Sequence, residues 1–333
     1  MNKNLFSSFL IFFPLFLIFI WGCRNQPLEQ HFEGMVPGFD NRNYTVYLPN
    51  NYNNAQNYPL IIGLHGGGGN KENFRRTTCP GGNLNSSNCL DRMANENGYI
   101  TVFANGTLNP KKNPFWGNRF WNAGGGQKGF TCIAPFACLQ NIDDISYLNA
   151  LITHLNTILN IDSNRIFLTG ISNGAAMSHR AACELSDKIL GIAGIAGANQ
   201  FAADPSFCQP ANNVSILQIH GVDDPQWPYE GGPGINENIY FGVQDSTNAW
   251  GNRYNCNAPI ITGPVDHLPF DGTSYEKWTF QECGNESQVL LYKIYNGGHT
   301  WPQGWQYLNP DFIGLTSQEF SANQVMIEFF NSL

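Results

Sequence analysis

The chain has 333 residues, of which 42% are hydrophobic and 13% charged, and its formal net charge is −8 with 17 lysines and arginines. This composition is typical of a globular protein and excludes a largely disordered chain. No basic cluster is present, which argues against a nucleic-acid partner. Since no repeat or Pro/Ser-rich linker divides the sequence, we expect one folded domain after an N-terminal leader.

The first 23 residues predict a signal peptide. A short positive start is followed by the apolar run Leu5–Trp21, which is at the short edge of what a membrane span requires. The next pair, Gly22–Cys23, resembles the processing site of bacterial lipoproteins and makes Cys23 a candidate lipidation site. Plain secretion and an uncleaved anchor are the alternatives. Each version predicts an exported protein, either extracellular or held at a bacterial cell envelope by a lipid on Cys23.

The remaining eight cysteines suit an oxidising compartment because their number is even. No Cys-x-x-Cys pair occurs, so we expect disulfides and no metal site. Eight cysteines allow 105 connectivities, and the simplest prediction pairs neighbours in the sequence. The predicted bridges, each worth about 2–4 kcal/mol, are Cys79–Cys89, Cys132–Cys138, Cys183–Cys208 and Cys256–Cys283.

The secondary structure is predicted from apolar runs and helical spacing. Residues 24–40 form a polar lead-in, and the catalytic domain is expected over 41–333. In the first half of the chain we expect an edge strand at 44–49, buried strands at 60–64 and 99–103, a long loop over 106–140 and a helix over 145–159. In the second half we expect strands at 165–169, 189–197, 215–221 and 288–298, and helices from 175, at 243–254 and at 321–330.

The predicted strands are continuous apolar runs that alternate with helices. Such strands are typical of a mostly parallel sheet whose two faces are both covered by helices. The sequence therefore predicts the α/β class for the whole domain.

The motif G-x-S-x-G occurs at Gly170–Gly174, with Ser172 at its centre. The motif is weak by itself, but here a predicted strand leads into it and a predicted helix follows it, which is the setting of a nucleophile elbow. Glycines on both sides leave room for a strained turn, and the helix N-terminus favours negative charge at the serine. We therefore predict that Ser172 is a nucleophile.

A serine nucleophile needs a histidine base and an acid that orients it. In an elbow of this kind the acid and then the histidine follow the serine in the chain. His179 lies within the helix after the elbow and His267 in a polar loop, whereas His299 follows an apolar strand and two glycines. His299 is therefore the predicted base.

The acid is expected in the loop "HGVDD", which leaves the strand that ends at His220. Asp223 and Asp224 are adjacent there, and the pattern of residues does not choose between them. His220 is interpreted as a structural histidine that packs this loop.

The segment "LHGGGGN" at 64–70 is predicted to supply an oxyanion hole, since glycines let the backbone approach a substrate closely. The expected donors are the backbone amides of Gly66 and Gly67 together with that of Asn173. Phosphate binding is the rival interpretation, and it fails because the spacing matches neither the Walker A nor the dinucleotide-binding pattern.

Six segments occur together in an order that resembles one family. They are "LHGGGGN", "WNAG", "DDISYL", "GISNGAAMSHRAACELSD", "HGVDDPQWPYEGG" and "GGHTWP". From about residue 40 to the end, the chain resembles the esterase/polyhydroxybutyrate-depolymerase family, which includes feruloyl and acetylxylan esterases of the carbohydrate-esterase type. The resemblance implies an α/β-hydrolase fold with a triad of Ser172, Asp224 and His299. It places the acid on Asp224 through the pattern H-G-x-x-D, and it also implies the bridge Cys256–Cys283.

Two departures from the family bear on the substrate. The insert between about 109 and 132 is longer than the family leads us to expect, and Trp227 stands where a smaller residue is usual. We expect Trp227, Tyr229 and Trp301 to line the cleft because they lie close in sequence to the predicted acid and base. The alternative is that each of these rings packs its loop onto the sheet.

The resulting prediction is an exported carboxylic ester hydrolase that acts through an acyl-enzyme without metal or cofactor. Its expected partner is an ester, polymeric or not, with polysaccharide feruloyl and acetyl esters first and polyhydroxyalkanoates as the alternative. A non-catalytic carbohydrate-binding protein is a further alternative, suggested by 8 Trp, 13 Tyr and 24 Phe. The structural explanation for most of those aromatic residues is packing in the hydrophobic core.

Overall fold

A computed structural model describes residues 30–109, 118–125, 132, 134–200, 208–234 and 237–333. The predicted signal peptide at 1–23, the lipidation candidate Cys23 and the first part of the predicted lead-in lie outside the described residues. Within the described ranges, the structure contains no helix long and apolar enough to cross a membrane.

The described chain is organised around a sheet of ten strands. In sequence order, these strands are β1 His31–Met35, β2 Asn43–Tyr47, β3 Tyr58–Leu64, β4 Ile100–Ala104, β7 Ile161–Ile171, β8 Gly191–Ile195, β9 Ser215–Gly221, β12 Asn257–Val265, β13 Ser274–Gln281 and β14 Val289–Tyr295. Four shorter strands pair outside it as β5 Thr107–Leu108 with β6 Arg119–Phe120, and β10 Gly232–Pro233 with β11 Ile239–Tyr240.

Across the sheet the strand order is β1-β2-β4-β3-β7-β8-β9-β14-β13-β12. The six central strands, from β4 to β14, are parallel to one another, and the strands at both ends are antiparallel. Parallel strands end at the same edge of a sheet, so the loops after β3, β7, β9 and β14 come together at one edge. The candidate site lies there.

Eight α-helices connect or cover the strands in the described part of the chain. They are α1 Lys71–Thr77, α2 Leu90–Glu96, α3 Pro135–Leu139, α4 Asp144–Ile158, α5 Asn173–Glu184, α6 Val243–Arg253, α7 Pro310–Ile313 and α8 Ala322–Asn331.

Two separate core clusters show that both faces of the sheet are covered. In β3, Leu60 and Ile62 belong to one cluster, which contains apolar residues of α4, α5 and α6. Ile61 belongs to the other, which contains apolar residues of α1, α2 and α8. Successive strand residues point to opposite faces, so a continuous apolar run is needed to fill both layers. The predicted α/β class is confirmed.

The N-terminal edge of the sheet differs from the prediction. Residues 31–35, within the predicted polar lead-in, form β1, which pairs with β2 from His31–Tyr47 to Met35–Asn43. The strand predicted as the edge is therefore an inner strand. The side chains of β1 alternate between exposed and half-buried, so its residues carry little of the hydrophobic pattern that identifies a strand.

The opposite edge was not predicted at all. The antiparallel strands β12 and β13 extend the sheet beyond β14, and most residues of β12 are exposed. Its sequence contains two prolines and a glycine, which normally argue against a strand. An edge position tolerates them because one side of the strand has no hydrogen-bonding neighbour.

Among the described residues there are four disulfides, and they join the sequence neighbours that were predicted. The bridges are Cys79–Cys89, Cys132–Cys138, Cys183–Cys208 and Cys256–Cys283. Each closes a loop of 6 to 27 residues, so the bridges fix local loops and do not connect distant parts of the sheet.

Candidate active site

Ser172 occupies a strained turn between the end of β7 and the start of α5. Its φ is 57° and its ψ is −121°, a conformation that non-glycine residues rarely adopt. The flanking glycines are required sterically. A Cβ atom on Gly170 would lie 2.5 Å from the Gly174 carbonyl carbon, and one on Gly174 would lie 2.2 Å from the Leu64 oxygen. The predicted elbow geometry is therefore present, with β3 packed directly against the turn.

His299 follows β14, and its imidazole reaches the loop after β9. The distance from His299 Nδ1 to Asp224 Oδ2 is 2.7 Å. The other carboxylate oxygen, Oδ1, accepts the backbone N–H groups of Gln226 and Trp227 at 2.8 Å each. Asp224 is buried, whereas Asp223 is exposed. The structure thus brings Asp224, and not its neighbour, to the histidine.

His220 supports the same carboxylate. Its Nε2 lies 2.9 Å from the Trp227 carbonyl oxygen and 3.2 Å from Asp224 Oδ2, which makes Nε2 a donor. Burial by itself would raise the pKa of Asp224, but the facing histidines His299 and His220, through charge and hydrogen bonds, lower it to about 2. The carboxylate of Asp224 is therefore ionised at neutral pH. The interpretation of His220 as a residue that packs this loop agrees with these contacts.

Two cavities of about 370 and 400 Å³ meet at the elbow. Both are lined by the same four residues, Gly67, Ser172, His299 and Tyr307. The first cavity is also lined by Phe74 and Thr77 of α1 and by Trp305. The second continues past Asn118, Phe120, Gln226 and Tyr240. Ser172 and His299 thus lie at the junction of a cleft with two arms.

The glycine loop after β3 lies against the elbow. A Cβ on Gly66 would be 3.5 Å from the Ser172 Cβ, and one on Gly67 would be 3.5 Å from the Asn173 Cβ. Among the described residues, the backbone N–H groups of Gly67 and Asn173 have no hydrogen-bond acceptor. Two of the three backbone amides predicted for an oxyanion hole, those of Gly67 and Asn173, are therefore next to the serine and available to a ligand.

Two of the three aromatic residues predicted to line the cleft are buried in the core. Trp301 is 0% exposed, donates its indole N–H to Asn323 and packs against Phe74. Tyr229 is 1% exposed and lies against His220. Neither lines a cavity of the cleft, so both predictions were wrong, because these rings anchor their loops to the core.

Trp227 is an intermediate case. It lines the second cavity, but it is 1% exposed, packs against the tilted ring of Tyr240 with ring centres 4.4 Å apart and donates its indole N–H to the Phe241 oxygen. It therefore forms part of the wall, and its ring is not free to stack on a ligand.

Sequence reasoning missed Trp305 and Tyr307. Trp305 is half-buried, lines the first cavity and lies 4.2 Å from the Arg76 guanidinium. Tyr307 donates its hydroxyl to the His299 carbonyl oxygen at 2.9 Å. Both residues come soon after His299 in the sequence, and this closeness is the signal that could have identified them.

In the part of the chain that the structure describes, one group of side chains is spaced like metal ligands: Cys79, Cys89 and Asp91. The two sulfurs are bonded to each other, and Asp91 pairs with Arg75 at 2.7 Å. This group therefore offers no thiolate for a metal ion.

Comparisons with known proteins agree with this geometry. The Phospholipase/Carboxylesterase family (Abhydrolase_2) matches residues 140–255, which include the elbow and the Asp224 loop. "Probable feruloyl esterase C" of Aspergillus clavatus is 25% identical over 84% of this chain and 82% of its own length. The protein NocK of Nocardia uniformis subsp. tsuyamanensis is 24% identical, and the match spans 56% of each chain.

The solved structure of the acetyl xylan esterase from Aspergillus awamori covers 91% of this chain and 100% of its own, with a TM-score of 0.55 and 15% identity. At that identity the likeness shows the fold alone. The predicted resemblance is confirmed: the chain has the α/β-hydrolase fold, is similar to feruloyl and acetylxylan esterases, and falls in the class of carboxylic ester hydrolases.

Proposed function

We propose that the protein is a serine esterase whose nucleophile, base and acid are Ser172, His299 and Asp224. One observation carries the proposal. The imidazole that lines both cavities together with Ser172 is hydrogen-bonded through Nδ1 to a buried, ionised carboxylate. A purely structural histidine would not need to lie at the junction of an open cleft.

In this mechanism Ser172 Oγ attacks the ester carbonyl carbon and gives its proton to His299 Nε2. Because Nδ1 donates to Asp224, the neutral imidazole has its lone pair on Nε2, where the proton is received. The amides of Gly66, Gly67 and Asn173 are placed to stabilise the negative oxygen. The tetrahedral intermediate then expels the alcohol, which takes the proton from Nε2. Water repeats the sequence on the acyl-enzyme and releases the acid.

The form of the cleft supports an ester with substantial groups on both sides of the carbonyl. Each arm has a volume of several hundred Å³, and both include aromatic and amide side chains, as saccharide and hydroxycinnamoyl groups require. Together with the feruloyl and acetylxylan esterases among its relatives, this favours esters of polysaccharides. Polyhydroxyalkanoates are the alternative substrate class.

The same proposal includes export. Four disulfides in the described residues are consistent with an oxidising compartment. Removal of the signal peptide, with or without a lipid on Cys23, would place the enzyme where polymeric esters occur.

The direct test is covalent labelling with a fluorophosphonate, followed by peptide mass spectrometry. We expect one label, on Ser172. Enzyme that is denatured before it meets the reagent should take up no label. Label on another serine would contradict the assignment of the nucleophile. A native protein that takes no label and hydrolyses no ester, but binds an oligosaccharide, would support the non-catalytic carbohydrate-binding alternative.

Trp305 provides a test of substrate selection. Trp305→Ala is expected to lower kcat/KM for a hydroxycinnamate ester about 3- to 10-fold more than for an acetate ester, since it removes a half-buried ring that lines the first cavity. The measurement is kcat/KM for the two esters, with a thermal melt because Trp305 also lies on Arg76.

Phe312→Ala is the matched control, because Phe312 belongs to the same loop region, is 59% exposed and lines neither cavity. Its two kcat/KM values should not change relative to each other. Equal losses on both esters in Trp305→Ala would assign Trp305 to the support of the loop and remove it from selection.

A further inference from the structure

Hydrogen bonds fix the orientation of three consecutive peptide groups in the glycine loop. The His65 carbonyl oxygen accepts the Trp121 indole N–H at 3.0 Å. The Gly66 carbonyl oxygen lies 2.8 Å from His65 Nδ1 and accepts the Gly69 N–H at 3.0 Å. The Gly68 N–H donates to the Arg119 oxygen at 2.8 Å. A loop of four glycines would otherwise be the most flexible backbone in the site.

The middle peptide group matters most, because it contains the N–H of Gly67. In a trans peptide the carbonyl and the N–H point in opposite directions, so fixing the Gly66 oxygen also fixes the direction of the Gly67 N–H. Gly67 lines both cavities, as Ser172 does. Of the two donors on the Gly66 oxygen, one is a backbone amide and the other is the His65 side chain.

The hydrogen-bonding role of each His65 nitrogen follows from its neighbours. The Gly106 backbone N–H donates to Nε2 at 2.9 Å, so Nε2 is the acceptor and Nδ1 bears the proton given to Gly66. His65 is 1% exposed and its ring lies 5.2 Å from that of Trp121. Burial lowers the pKa of His65 to about 3, although the hydrogen bond to Gly66 opposes this, so the ring stays neutral over the working pH range.

We infer that His65 is a positioning residue for the oxyanion hole: its Nδ1–H holds the peptide between Gly66 and Gly67 so that the Gly67 N–H faces the substrate oxygen. The inference rests on the proposed esterase function. It concerns a side chain that does not touch the reacting atoms and acts through the backbone.

Two substitutions separate the two hydrogen bonds of His65. In His65→Asn the amide nitrogen occupies nearly the position of Nδ1 and retains the donor to Gly66. In His65→Gln the amide oxygen occupies nearly the position of Nε2 and retains only the acceptor for Gly106. We expect His65→Gln to lower kcat for p-nitrophenyl acetate about 10- to 100-fold with little change in KM, since an oxyanion donor acts in the transition state. In His65→Asn, kcat should stay within about threefold of the wild-type value.

Phenylboronic acid supplies a second measurement, because its tetrahedral adduct with a serine places an oxygen in the oxyanion hole. Its inhibition constant should rise in His65→Gln in parallel with the loss of kcat, and should not rise in His65→Asn. His179→Gln is the matched control. His179 is also a buried histidine with a hydrogen bond at each nitrogen, to Gln218 and Trp250, but it lies outside the cleft. It should lose stability and keep kcat.

Equal kcat values in wild type and His65→Gln would overturn the inference, as would a loss in His65→Asn as large as that in His65→Gln. If His65→Gln does not fold, retained kcat and boronate inhibition in His65→Asn support the inference and their loss refutes it. Failure of the proposed function is distinguishable, because the wild-type enzyme would then show no activity or inhibition that depends on Ser172.

Discussion

Ser172→Ala is expected to lower kcat for any ester substrate by about 10³-fold or more, as loss of the nucleophile does in other serine hydrolases. The residual rate would come from the remaining oxyanion hole and from substrate binding. Stability should be nearly unchanged, because the Ser172 hydroxyl hydrogen-bonds to no described residue and alanine has the same Cβ in the strained turn. Steady-state kinetics and a thermal melt of the same preparation measure both quantities.

Ser246→Ala is the matched control for this experiment. Ser246 is buried, whereas Ser172 is half-buried, and the Ser246 hydroxyl accepts the Asn199 N–H at 3.0 Å, far from the elbow in the sequence. The variant should lose some stability and retain kcat within about twofold. If Ser172→Ala retained most of its activity while folded, another residue would have to be the nucleophile.

Asp224→Asn is expected to lower kcat about 10⁴-fold, the loss seen when the acid of a triad is neutralised. The carboxylate accepts hydrogen bonds on both oxygens, from two backbone amides on Oδ1 and from His299 and His220 on Oδ2. An amide NH₂ in place of either oxygen would face a donor. His299 would then lose the partner that holds its proton on Nδ1.

Asp223→Asn is the control for charge and for position in the loop. Asp223 is exposed, and its backbone N–H donates to the Gly297 oxygen, a contact that the substitution does not change. Its kcat should remain within about threefold of the wild-type value. A larger loss in Asp223→Asn than in Asp224→Asn would contradict the arrangement of the acid loop.

The candidate site could be predicted from the sequence in those parts that depend on local pattern. The elbow at Ser172 needs only a strand, two glycines and a helix start, and all of these are encoded within a few residues. His299 could be selected as the candidate base because it comes soon after a strand of the central sheet, β14. The four disulfides could also be predicted, because each bridge closes a short loop.

The choice between Asp223 and Asp224 could not be made from spacing, since both leave the same strand and differ only in the turn that follows. In the structure that turn is set by the amides of Gln226 and Trp227 on Asp224 Oδ1 and by His220, whose contacts depend on how the loop folds back. The family resemblance supplied the choice, and the structure supplies its physical reason.

The cleft aromatics show the same limit. Trp301 and Trp305 are four residues apart in one loop, yet the first is in the core and the second lines a cavity. The difference is decided by contacts with distant segments. Trp301 donates its indole N–H to Asn323. The backbone N–H of Trp305 donates to the Thr77 oxygen, and its ring packs against Arg76 and against Gly82, where a Cβ would clash with it.

The sequence by itself determined the α/β class, the central parallel strands and the turn at Ser172, and it singled out His299 as the candidate base. These features follow from the periodicity of apolar residues and from the chain order of the strand ends. Only the tertiary structure decided the edge strands β1, β12 and β13, which side chains line the cleft, and the hydrogen bonds from which we infer a role for His65. Edge strands bury little apolar surface, and the direction of a loop side chain depends on partners far away in the sequence, so neither leaves a local pattern to read.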